Sequence, residues 1–178
     1  MPNKPSFTDY VTGFYEAMEP WARELTIILE PGNAIVASSF SYVTEVLDVK
    51  QHGSNIFVNT NGTRNDIDPF FRKTDYFKKI IYNNKDYAIA EYPQIVGGLS
   101  CLEYDRLFTL PKGERMLCSG DKIIYDRVGA YTMSLTPLFI HYFPIIYSLK
   151  DNKISVVRKE WDEMNPKRSL LQILNLKH

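Results

Sequence analysis

A chain of 178 residues, 44% hydrophobic and 24% charged, has the make-up of one folded domain with a sizeable core, neither disordered nor fibrous. Its 21 basic residues balance 21 acidic ones, which points away from nucleic acid and towards small-molecule or protein partners. Two cysteines, Cys101 and Cys118, are too few for a disulfide framework, and MPNKPSFTDY has no apolar signal core. The stretch Leu138 to Leu149 is broken by His141, Pro144 and Ser148, well short of the roughly 18 apolar residues a membrane span needs. The expectation is a reducing, cytoplasmic setting with no membrane crossing.

In chain order, the first pattern is helical. Phe7, Tyr10, Val11, Phe14, Tyr15, Met18, Trp21, Ala22 and Leu25 recur at three- and four-residue spacing, so an amphipathic helix is expected over Phe7 to Leu25. Ser6 and Asp9 form a capping-box pattern at its start, and Pro20 should kink or divide it. A short strand, Thr26 to Leu29, then stops at Glu30-Pro31-Gly32, and a second helix is expected over about Ala37 to Thr44. Beyond residue 43 the period falls to two. VTEVLDV, NIFVNT, DYAIAEY, KIIYDRV, FPIIYSL and KISVVRK read as strands, punctuated by QHGSN, NTNGT, YNNKD, LPKGE, CSGD and LKDNK. Many short strands at this spacing predict an antiparallel β-sandwich or barrel, with SLLQILNL after Asn165-Pro166 as a last helix or strand. No repeat or low-complexity segment interrupts it.

A helix and strand ahead of a β-domain look like the end of an α/β unit. In a (β/α)8 barrel the chemistry sits at the C-terminal ends of strands, and Glu30-Pro31-Gly32 occupies such an end. Further segments converge with it: Gly98-Leu99-Ser100-Cys101 followed by Asp105, Gly120-Asp121-Lys122-Ile123, and Gly129-Ala130-Tyr131-Thr132 with Phe139 beyond. In this order and register, the sequence resembles the C-terminal half of the fold-type III pyridoxal-phosphate (PLP) decarboxylases, the ornithine and diaminopimelate decarboxylase family. The matching stretches there are Glu-Pro-Gly-Arg, Gly-x-x-Cys-acidic-x-x-Asp, a Gly-Asp turn into a strand, and Gly-Ala-Tyr-Thr. The resemblance implies a mainly β fold, with residues 1–43 the terminal helix-strand-helix portion of a PLP-binding (β/α)8 barrel and 44–178 the C-terminal β-domain.

It also implies roles. Glu30 would accept a hydrogen bond from the protonated pyridine nitrogen of PLP, Gly32 would lie beside the cofactor phosphate, and Tyr131 would donate its hydroxyl to that phosphate. Cys101 would enter a neighbouring protomer's site and help deliver the proton that replaces the carboxylate. Glu103, Asp68, Arg72 and Phe139 stand as substrate-binding positions. Taken singly these residues are ordinary, since a lone cysteine is more often core and a lone glutamate more often solvated. The shared register is what sets them apart. His52, His141 and His178 show no ligand spacing, so no metal site is expected.

The departures are equally specific. Asn33 stands where the family places an arginine, removing a fixed charge near phosphate or substrate. Leu102 follows the cysteine in place of a carboxylate, with Glu103 one residue on, and Cys-Leu-Glu-Tyr-Asp is similar to a stretch of siderophore-pathway members. Asp68 and Arg72 take places that read Arg-Pro-x-x-Tyr in the diaminopimelate branch. These departures argue against diaminopimelate or a simple diamine precursor as substrate. The family's Schiff-base lysine, its ring-stacking histidine and its glycine-rich phosphate loop belong to earlier barrel strands that these 178 residues do not contain. The chain starts with Met1 and a capped helix, which suggests a natural split subunit. Its partner would be a (β/α)8 subunit carrying the lysine, in a heterotetramer acting on an amino acid or amino-acid conjugate. The alternatives are a non-catalytic homologue that regulates or stabilises a partner and, less well supported by these motifs, a racemase of the same fold type.

Overall fold

A computed structural model of the chain describes residues 6–21, 24–30 and 32–160. Helix α1 spans Phe7–Met18. Its capping box forms as the sequence predicts: the Ser6 hydroxyl accepts from the Asp9 amide at 3.1 Å, and the Asp9 carboxylate accepts from the Ser6 amide at 2.7 Å. The helix stops at Met18 rather than reaching Leu25, because Pro20 has no N–H to continue the ladder and its ring collides with the turn before it. None of its residues is buried.

The strand expected at Thr26 to Leu29 does not form, which corrects the sequence reading. A strand exists only with a neighbour to share its ladder, and no described residue pairs with this stretch. Ile28 is 80% exposed there. The helix expected over Ala37 to Thr44 lies earlier, as α2 (Asn33–Val36) and one 3-10 turn at Ala37–Ser39. Tyr42, Val43 and Thr44, with aromatic and β-branched side chains that suit a pleated surface, enter strand β1 (Ser41–His52) instead.

The β-domain is one six-stranded curled sheet, a half-barrel, plus a separate hairpin. The sheet comprises β1, β2 (Asn55–Thr60), β3 (Phe77–Ile81), β4 (Gln94–Gly97), β5 (Arg106–Leu110) and β6 (Lys122–Asp126), ordered β3-β6-β1-β2-β4-β5. All neighbours are antiparallel except β2 and β4, which run parallel through a crossover over residues 61–93. The curl brings the two edge strands together: Lys78 Nζ of β3 sits 4.6 Å from the centre of the Phe108 ring on β5. Between them Tyr125 is fully buried, edge-on to Tyr76 at 5.7 Å and to Phe108 at 6.1 Å. Val46, Val58, Ile67, Val96 and Ile123 complete the centre of this core.

DYAIAEY, expected as a strand, makes only the bridge Ile89 to Arg115, and the ladder beside β2 is taken by Gln94–Gly97. The hairpin is formed by β7 (Ile146–Lys150) and β8 (Lys153–Arg158), turned by Asp151 and Asn152, both at positive φ. After β6 comes the short helix α3 (Thr132–Leu135). SLLQILNL lies outside the described residues. Among the described residues there is no (β/α)8 barrel, and no helix is long and apolar enough to cross a membrane.

Candidate functional site

The site is built where three segments converge: the lead-in at residues 32–39, the crossover at 67–73 and the turn at 128–131. Gly129 makes the first junction. Its amide donates to the Ala37 carbonyl at 3.1 Å, the Val128 amide donates to the Phe40 carbonyl at 3.2 Å, and a Cβ on Gly129 would overlap the Val36 carbonyl. Only glycine lets the two backbones approach this closely. Tyr131 follows in the left-handed region at φ 66°, which turns its side chain towards Gly32. A Cβ on Gly32 would lie 3.3 Å from the Tyr131 hydroxyl. Residues far apart in sequence, Gly32 and Tyr131, are thus neighbours.

Phe70 meets the Tyr131 ring edge-on at 5.8 Å, and a pocket opens between Asn33, Pro69, Arg72, Lys73 and Tyr131. Tyr131 is 52% exposed at its mouth. Arg72 lies over the Phe70 ring at 5.3 Å, and no described carboxylate forms an ion pair with it. Phenol, side-chain amide and guanidinium therefore offer donors around a glycine backbone, a combination suited to an oxyanion.

Asp68 does not face this pocket with a free charge. Its carboxylate, 4% exposed, accepts from the Arg64 guanidinium at 2.9 Å, from the Arg72 amide at 3.1 Å and from the Lys73 amide at 2.8 Å, and the Tyr76 hydroxyl lies 3.3 Å away. Arg64 also donates to the Lys73 carbonyl at 2.6 Å. Asp68 thus shapes the pocket wall through backbone, and its charge is matched by Arg64. The i,i+4 spacing of Arg64 and Asp68 is the sequence signal for that pairing.

Cys101, Leu102, Glu103 and Tyr104 are all exposed, on a loop closed by the buried Asp105. Phe139 is 37% exposed and is not among the pocket-lining residues. Glu30 is exposed. Gly120-Asp121 is structural: Gly120 has φ +89°, and Asp121 accepts from the Asn83 and Cys118 amides at 2.8 Å each. A part-buried pair, Tyr42 and the buried Asp66, carries no sequence signal. Tyr42 donates to Asp66 at 2.6 Å, and burial, followed by the Asp66 charge, pushes the phenol well above its usual range, so it stays protonated. Burial also raises Asp66, against the lowering effects of the Tyr42 hydrogen bond and of His141, whose Nε2 lies 3.7 Å away. No group of three or more metal-ligating side chains occurs among the described residues.

Comparison with known proteins places this geometry in context. No family model matches the sequence. A diaminopimelate decarboxylase from Helicobacter pylori is 34% identical over 159 residues, 85% of this chain but 36% of the relative. One from Campylobacter jejuni is 28% identical over 134 residues, 75% of this chain and 32% of the relative. The crystal structure of diaminopimelate decarboxylase from Helicobacter pylori complexed with L-lysine superposes with a TM-score of 0.72 at 29% identity, over 98% of this chain and 42% of that one. The chain spans about a third of the length of the curated relatives it matches. Over that span it is homologous to a C-terminal fraction of the diaminopimelate/ornithine decarboxylase family.

Proposed function

We propose that this chain supplies the C-terminal β-domain of a PLP-dependent amino-acid decarboxylase and works with a second polypeptide that carries the lysine-bearing (β/α)8 barrel. The observation that carries the reading is the approach of Gly32 to the Tyr131 hydroxyl beside Arg72, since a side chain at position 32 would fill the cradle. The residues present fit a phosphate there: a bare backbone, a phenol donor and the Asn33 side-chain amide. When bound, PLP supplies the electron sink for the pair left as carbon dioxide departs. Glu30 would hold the pyridine nitrogen, Tyr131 would hold the phosphate, and Cys101 would hold the proton delivered in a neighbouring copy's site.

The lead-in up to residue 39 completes the partner's barrel in this reading, since residues 41–43 belong to β1. Support comes from α1, the turn after it and residues 25–29, where Tyr10, Trp21, Ile28 and Leu29 are each more than half exposed. The assembly is a heterotetramer in which each copy serves two sites. Arg72 and Glu103 are the exposed charges left to meet an amino-acid or conjugate substrate, and Asp68, saturated by Arg64, is withdrawn from that role. Co-expression with a barrel-bearing decarboxylase fragment should give a yellow complex that releases carbon dioxide, with release lost in Cys101→Ala. A monodisperse monomer of this chain that ignores every such fragment sinks the proposal. Asn33 and Leu102 favour a second reading, a non-catalytic homologue that stabilises its partner. That reading holds if the complex forms and carbon dioxide release is absent or indifferent to Cys101→Ala.

A further inference from the structure

The loop from Gly98 to Asp105 folds around a single carboxylate. Asp105 is 4% exposed and accepts from the Ser100 amide at 3.0 Å and from the Ser100 hydroxyl, both within its own loop. From the crossover it accepts from the Thr63 hydroxyl at 3.0 Å and the Arg64 amide at 2.6 Å. The backbone closes the same circle: Gly98 N to Asp105 O at 2.9 Å, Leu99 N to Gly62 O at 2.8 Å and Asp105 N to Leu102 O at 3.0 Å. Gly98 is bare because a Cβ there would strike the Asp105 carboxylate. The four residues between Ser100 and Asp105, with Cys101 first, are held outward as an exposed lobe.

We propose that Asp105 is the positioning residue of Cys101, and that it fixes the cysteine lobe in one frame with the wall of the Tyr131 pocket. The second half of the claim follows from Arg64. Its amide binds Asp105 while its guanidinium binds Asp68, which in turn holds the amides of Arg72 and Lys73. One short path of hydrogen bonds runs from Ser100, the residue before Cys101, through Asp105, Arg64 and Asp68 to the pocket wall at Arg72 and Lys73. An ionised carboxylate meeting donors alone is stronger than a neutral acceptor, and an amide in its place turns two donors towards donors. Asp105 acts through the loop, without touching substrate. The inference rests on the assignment of Cys101 to a neighbouring site, and its test is independent of that assignment.

A nitroxide spin label on Cys101 in the full chain carrying Cys118→Ser reads loop order directly, and a label on Cys118 in a Cys101→Ser chain is the reference. Asp105→Asn should speed motion of the label at Cys101 on the nanosecond scale by about threefold or more and leave the label at Cys118 unchanged. Ser100→Ala, which removes one hydroxyl and leaves the core intact, should act in the same direction with a smaller change. If the label at Cys101 keeps its motion in Ser100→Ala, or in a folded Asp105→Asn, the proposal is overturned. Equal loosening at both cysteines overturns it too, because that is general destabilisation. Carbon dioxide release that survives Cys101→Ala would sink the catalytic reading and leave these spectra untouched.

Discussion

The lead-in, residues 6–39, and the sheet that follows treat apolar side chains in opposite ways. The sheet buries Val46, Val58, Ile123 and Tyr125 completely, whereas α1 buries nothing and Ile28 is 80% exposed. Both regions carry strongly patterned sequence, so pattern alone does not say where the other half of an interface lies. The sheet finds its partner strands within the chain, while the lead-in has a helix with no buried residue and an extended stretch with no strand paired to it among the described residues. Among the described residues they meet in a seam, where Gly129 receives residues 36–40 and where Gly32 and Asn33 approach Tyr131.

The contrast can be broken most severely in the sheet. Tyr125→Ala removes the ring that Tyr42, Tyr76 and Phe108 surround and should cost about 3–5 kcal/mol in chemical denaturation. The seam is next. Gly129→Ala forces a methyl against the Val36 carbonyl and should cost about 1–3 kcal/mol, with amide exchange rising in residues 33–39 and little change in β1. The smallest effect is expected in the lead-in, where Tyr10 is 72% exposed: Tyr10→Ser should move stability of the isolated chain by less than about 0.5 kcal/mol in the same denaturation experiment. The same substitution should weaken capture of a barrel-bearing partner in a pull-down titration, which would sharpen the contrast between a region that stabilises itself and one that is stabilised by contact.

What could be read from the residues follows the same division. The Ser6 and Asp9 cap, β2, β6 and the hairpin with its Asp-Asn turn are local, and each appears where turn chemistry and period place it. Thr26 to Leu29 has strand composition yet no strand, because a ladder is a property of two segments. DYAIAEY and QIVG compete for the place beside β2, and alternation could not rank a loose run above a four-residue strand. In the site, the motif positions Gly32 and Tyr131 come together across the chain. Asp68 was legible as a charged residue near them but not as one already occupied. Asp105 belonged to a motif without a role until its four donors could be seen converging on it.

The parallel pairing of β2 with β4 has a kinetic consequence. β4 cannot reach β2 until residues 61–93 have closed over, and that segment contains Arg64, Asp68, Arg72 and β3, which must itself find β6. Non-local pairing of this kind is slow, since loop-closure entropy is spent before the contacts repay it. Residues 67–73 of the pocket wall lie in that segment, and their placement is expected late in sheet formation. Substitutions in the crossover should register first as slower refolding, with the seam at Gly129 still needed to bring Asn33 to the pocket.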